Sequence, residues 1–204
     1  VTTGNSESGR SGSVAVGSGD SQDSTSGDVM VAAGASGAND GGKVSMVGGS
    51  SALGQGGDIN VQGGQGARGG SLVLKGGRSE GSSTDGNDDV SGRVLVQGGA
   101  SDAGTGGSIV MKSGASNSAA SGAFTMGSSD ATGARASSGD ASIGSGKSAE
   151  GDTGSVTVST GNAATGTAGS IEIKVGASSN AAGGDLTLAS GSSSAAVGGT
   201  LIVQ

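Results

Sequence analysis

The sequence predicts an all-β fold, a parallel β-solenoid, from three observations. A pattern of paired aliphatic residues recurs along the chain, its copies are evenly spaced, and Gly-rich segments connect them. The pattern is Gly-x-Φ-x-Φ, where Φ is mostly Val, Ile or Leu, and nine of the twelve spacings between copies are 15 residues. The first Φ positions are Val14, Val29, Val44, Ile59, Leu72, Val94, Ile109, Phe124, Ala141, Val156, Ile171, Leu186 and Leu201. A fixed short period of this kind is typical of solenoid proteins.

Each copy of the pattern predicts one short strand. The two Φ residues are separated by a single residue, as in Val14 and Val16 or Ile59 and Val61. Alternation of β-branched residues with period two indicates a half-buried β-strand and not a helix. The thirteen copies therefore predict thirteen strand units.

The segments that link the predicted strands predict tight turns. They are about nine residues long and rich in small residues, for example "GASGANDGG" at 34–42 and "GASSNAAGG" at 176–184. In such turns Gly supplies positive φ, and Ser or Asn bonds its own backbone. We therefore expect corners between the strands of a solenoid.

Two coil geometries fit this period, and both treat residues 1–204 as a single repeat domain, or as a segment of a longer repeat array, with an inserted acidic loop at 77–92. In the favoured geometry one coil has 15 residues, and its strand packs against small residues of the loop. Six serines share one phase there: Ser36, Ser51, Ser101, Ser116, Ser178 and Ser193. In the alternative a coil has 30 residues and two facing aliphatic sheets. The 15-residue coil would stack Asp28, Lys43 and Asp58 as neighbours of alternating sign.

Composition excludes several classes of function. The chain has no Cys or His, so we expect no disulfide, no cofactor and none of the usual zinc, iron or copper sites. A net charge of -7 and a single aromatic residue argue against nucleic acid as a partner. There is no apolar run of about eighteen residues, so no membrane insertion is expected.

The inserted loop contains the one arrangement that resembles a metal site. Asp85, Asn87 and Asp89 have the opening spacing of a calcium-binding loop. However, Val90 stands where that loop needs Gly, and no Glu closes it at the twelfth position. A solvated acidic loop is the favoured interpretation. The remaining acidic residues are scattered, so we expect no catalytic residues and no enzyme activity.

One predicted surface has the apolar composition of a protein–protein interface. The position between the two Φ residues is apolar at Val73, Leu95 and Val110 in three successive units, and again at Ile202. An exposed apolar stripe more often marks an interface than free surface. We expect a lateral interface between rods; the alternative is a face covered by the inserted loop.

The function predicted from this architecture is structural. Neither end of the sequence shows a polar cap, which favours end-to-end stacking of β-solenoid rods into a homopolymer. The repeats "GGD-Φ-x-Φ" and "GGS-Φ-x-Φ" resemble Gly/Ser-rich β-solenoid proteins of algal and protist extracellular matrix or surface fibres. The resemblance implies an extracellular structural role, and with end-to-end stacking it predicts a secreted subunit of a filament. The many Ser and Thr residues of the loops could accept glycans, although no Asn-x-Ser/Thr sequon is present. The alternative is a rigid binding rod, an adhesin or an ice- or surface-binding module.

Overall fold

The structure is a computed structural model that describes residues 1–79, 91–133 and 136–204, in two compact units, Val1–Val110 and Met111–Gln204. Within these ranges neither unit contains a helix or a strand, and the backbone is irregular coil with bends. The predicted parallel β-solenoid is therefore wrong. The thirteen strand units do not form in the described chain, and neither the 15-residue nor the 30-residue coil is built.

The reason for this difference is a shortage of apolar side chains. The chain exposes 19880 Å² of surface, whereas a folded monomer of 18.4 kDa exposes about 8,200 Å². Among the described residues no hydrophobic side chain is buried, and Val175, one of the better covered, is still 42% exposed. Each 15-residue unit contributes only two or three aliphatic side chains. Their burial cannot offset the conformational entropy lost when the whole unit is ordered.

The 15-residue period nevertheless persists in the local structure. The backbone bends within most linking segments at equivalent positions. These bends lie at 7–9, 22–24, 37–39, 52–54, 66–68, 102–104, 117–119, 149–151, 164–166, 179–181 and 194–196. The first Φ side chain of a unit is also the better covered one, as Val29 at 53% exposed compares with Val31 at 76%. The repeat is thus a unit of local structure, although it is not a coil of a solenoid.

Many linking segments form small loops that one backbone hydrogen bond closes. In the segment 34–42, the amide of Gly42 donates to the carbonyl oxygen of Gly34 at 2.9 Å. Equivalent bonds join Gly57 to Gly49, Gly70 to Gly64, Gly92 to Gly77, Gly107 to Gly99, Gly122 to Gly114 and Gly199 to Gly191. Loops of this length whose ends meet resemble Ω-loops. Six described linking segments are closed in this way, at 34–42, 49–57, 64–70, 99–107, 114–122 and 191–199, and the Gly92–Gly77 bond joins the two ends of the segment 77–92.

A serine hydroxyl fixes the bend inside most of these loops. In the loop 34–42, the Oγ of Ser36 accepts a hydrogen bond from the amide of Asn39 at 3.0 Å. The same bond to the residue three positions later is made by Ser6, Ser21, Ser51, Ser101, Ser116, Ser148, Ser178 and Ser193. The prediction that loop serines bond their own backbone is confirmed. Their shared phase marks this turn, and not packing against a strand.

Glycine has a different role from the one that the sequence predicts. No glycine among the described residues has a φ in the left-handed region, so the expectation of positive φ at the corners is wrong. Instead, glycines allow two backbone segments to meet at the base of a loop. A Cβ at Gly48 would overlap the carbonyl oxygen of Gly57 and lie 3.0 Å from its carbonyl carbon. The pairs Gly63 with Gly70, Gly76 with Gly92 and Gly98 with Gly107 approach in the same way.

Candidate interaction surfaces

The predicted calcium loop, with Asp85, Asn87 and Asp89, lies outside the described residues. In the part of the chain that is described, no three acidic side chains come together in a group that could hold a metal ion.

The four predicted interface residues are exposed side chains. Val73 and Leu95 are each 65% exposed, Val110 is 72% exposed and Ile202 is 70% exposed. The sheet face on which they were expected to align is not formed, because the segments that carry them are not strands. Val73, Leu95 and Val110 belong to the unit Val1–Val110, and Ile202 belongs to Met111–Gln204.

The base of the inserted loop brings two of these apolar segments close together. The amide of Gly92 donates to the carbonyl oxygen of Gly77 at 2.8 Å, and the backbones of Gly76 and Gly92 are in contact. Lys75 directly precedes this contact and Arg93 directly follows it. The segments 72–75 and 93–96, which we name the basic aliphatic surface, therefore place two cations beside six exposed aliphatic residues.

The unit Met111–Gln204 contains a shallow groove that the sequence did not predict. Met126, Gly127 and Ser128 form one side, and residues 140–143 form the other. The groove has a volume of about 300 Å³. Asp140 contributes a carboxylate, while Met126 and Ile143 contribute apolar side chains. We name it the acidic groove.

One sequence signal marks the position of this groove. Its two sides come from successive Φ-x-Φ segments, which begin at Phe124 and Ala141 and are 17 residues apart instead of 15. The first Φ position of the second segment holds Ala141, whose side chain is small. A longer connection together with a small residue leaves space between Met126 and Ile143.

Most charged groups of the described residues make no defined pairs. Within the described ranges the only ion pair joins the Nζ of Lys174 to the Oε1 of Glu172 at 2.8 Å, with both side chains about three-quarters exposed. Pairs as exposed as this contribute little to stability. Charge therefore does not compensate for the absence of a core.

No family model, curated protein or solved structure matches this chain. Among the described residues there is no helix of the length and apolarity that crossing a membrane requires.

Proposed function

We propose that this protein is a structural component of an extracellular fibre or matrix, which forms when many copies of the chain associate. The observation that supports this proposal is the exposure of the aliphatic side chains. Leu72, Val94 and Ile109 are each about half exposed, although they are among the best covered of the chain's large hydrophobic residues. Association in which other copies cover this apolar surface lowers the free energy of the system.

The size of the exposed surface favours assembly over a single pairwise contact. The chain exposes 19880 Å², which exceeds the surface of a compact monomer of its mass by about 12,000 Å². A stable protein–protein interface buries about 1,600 Å² in total. Covering the excess therefore requires contacts with several neighbours, as in a fibre or a matrix.

The backbone of the Φ-x-Φ segments supports the same proposal. The backbone hydrogen bonds found in the described chain lie almost entirely within the linking segments. Segments of six or seven residues with high β-propensity, low charge and no proline pair readily with copies of themselves. The segment 155–160, "SVTVST", has this composition, so its backbone can replace hydrogen bonds to water with hydrogen bonds to a neighbouring chain.

The repeat composition supports the extracellular location. The resemblance of the "GGD-Φ-x-Φ" and "GGS-Φ-x-Φ" repeats to matrix proteins suggests secretion. Exposed Ser and Thr side chains in the loops are accessible to glycosylation. A glycosylated surface between associating segments would keep a fibre hydrated.

The test of this proposal is the dependence of molecular mass on protein concentration. Sedimentation velocity from about 1 μM upward should show growing species, and negative-stain electron microscopy of the same samples should show fibres or networks. Replacing Ile171 and Ile173 with Ser should weaken assembly, because it removes two exposed aliphatic side chains. The matched control replaces Thr165 and Thr167 with Ser. A single monomeric species at every concentration would contradict the proposal.

A further inference from the structure

We infer that the acidic groove binds the basic aliphatic surface of a second copy of the chain, an inference that rests on the proposed function. The contact would join the groove at Met126, Asp140 and Ile143 to the segments 72–75 and 93–96. This contact would be specific, whereas the self-association proposed above involves many similar Φ-x-Φ segments.

The groove has the shape and chemistry to accept an aliphatic side chain beside a cation. Its volume of about 300 Å³ is at the lower end of the range for small-molecule sites. Met126 and Ile143 are 65% and 74% exposed, so the apolar lining is open to a partner. The carboxylate of Asp140 lies at the same groove and attracts a positively charged group.

The basic aliphatic surface is distinguished by the two cations at its loop base. All three positions of 72–74 and of 94–96 are apolar, and Lys75 and Arg93 flank the Gly76–Gly92 contact. The segment 109–111 is also apolar, but Gln97 and Ser108 flank the Gly98–Gly107 contact that brings it to 94–96. Segments preceded by an acidic residue, such as those after Asp58 and Asp185, would bring a like charge toward Asp140. A like-charge contact of this kind is unfavourable.

The two surfaces differ, so their contact repeats without closing on itself by symmetry. A contact between two different patches is heterologous and produces rings or open filaments. Each copy supplies one acidic groove and one basic aliphatic surface. The inferred contact is therefore able to propagate along a filament.

The experiment uses two charge-reversed variants of the full chain. One variant carries Asp140→Lys in the groove, and the other carries Lys75→Glu with Arg93→Glu in the basic surface. Each variant alone confronts like charges, so its concentration for half assembly should rise about tenfold over that of the unmodified chain. Sedimentation velocity measures this concentration.

Mixing the two variants makes the test specific. In an equal mixture, the acidic surface of the variant with Lys75→Glu and Arg93→Glu can bind the basic groove of the Asp140→Lys variant. The unchanged basic surface of the Asp140→Lys variant can also bind the unchanged groove of the other variant. Assembly should return to within about twofold of the unmodified chain. The matched controls are Asp185→Lys, and Lys43→Glu with Lys174→Glu, which change charges beside other Φ-x-Φ segments and should leave assembly unchanged, both alone and mixed.

The outcomes separate this inference from the proposed function. If the unmodified chain never assembles, the proposed function is wrong, and the inferred pairing, which joins copies of the chain, is wrong with it. If it assembles but the variants assemble equally well, or if their mixture remains as weak as each variant alone, the inferred pairing is wrong while the structural function stands. An equal loss of assembly in each control variant, recovered when the controls are mixed, would show a general charge effect and would also overturn the inferred pairing.

Discussion

Replacing Gly48 with Ala should open the loop that follows it, while the same change at Gly49 should not. A Cβ at Gly48 would overlap the carbonyl oxygen of Gly57, whereas nothing lies within 4 Å of a Cβ at Gly49. Neither glycine has a left-handed φ, so alanine can adopt both backbone conformations. The two neighbouring positions therefore differ only in the space available to a methyl group.

The expected magnitude follows from the hydrogen bond that closes the loop. The amide of Gly57 donates to the carbonyl oxygen of Gly49 at 2.7 Å. To accept a methyl group at Gly48, the Gly57 backbone must move away, and this bond is lost. A bond of this kind contributes about 0.5–1.5 kcal/mol, so the ratio of closed to open loop should fall about 2- to 10-fold. Gly49→Ala should be neutral or stabilise the loop by up to about 1 kcal/mol, because alanine restricts the open chain.

Amide hydrogen exchange of Gly57, measured by nuclear magnetic resonance at a concentration below assembly, reports the loop directly. Exchange in Gly48→Ala should be about 2- to 10-fold faster than in the unmodified chain, and exchange in Gly49→Ala should be unchanged or slower. Equal acceleration in both variants would refute the reasoning, since it would show that glycine is needed for backbone conformation and not for close approach.

Two further predictions concern the loops and the exposed aliphatic residues. Ser51→Ala should destabilise the bend by about 0.5–1 kcal/mol, because the Ser51 Oγ accepts a hydrogen bond from the Gly54 amide at 2.8 Å. Ser50→Ala in the same loop is the control. Equal hydrogen exchange of the Gly54 amide in both variants would contradict this role of Ser51. Ile171→Asp should leave the monomer's sedimentation coefficient unchanged, because Ile171 is 51% exposed, yet it should weaken assembly. Thr165→Ala should change neither property, and a collapse or unfolding of the Ile171→Asp monomer would show that this residue is buried after all.

The sequence correctly predicts the features that depend on neighbouring residues alone. The bends follow the 15-residue period, and serines in one phase, such as Ser36 and Ser101, bond an amide three residues later. These interactions close within a single loop. They need no contact with a distant segment, so local residue types are sufficient to specify them.

Strand formation could not be predicted in the same way, because it depends on partners. Ile59 and Val61 have the alternation of a half-buried strand, yet they are 51% and 56% exposed in the described chain. Alternation shows that a segment can present one apolar face, but it does not show that another segment covers that face. With so few aliphatic residues in each unit, one chain does not supply that cover.

The roles of individual glycines were also hidden in the sequence. Gly48 and Gly49 are adjacent and chemically identical, but only Gly48 lies against the Gly57 carbonyl group. The acidic groove is only partly different, because the 17-residue spacing and Ala141 mark its position but do not show that Met126 and Ile143 line one groove. Which backbone segments approach each other depends on the path of the chain in space, and residue types alone do not show that path.

Hydrogen exchange across a concentration series tests most directly whether other copies of the chain cover the Φ-x-Φ segments. In dilute monomer the amides of segments such as 59–61, 94–96 and 171–173 should exchange almost as fast as in an unstructured peptide. As assembly proceeds, protection should appear in these segments before it appears in the loops. Strong protection in the dilute monomer would contradict the account, as would assembled material whose Φ-x-Φ amides stay unprotected.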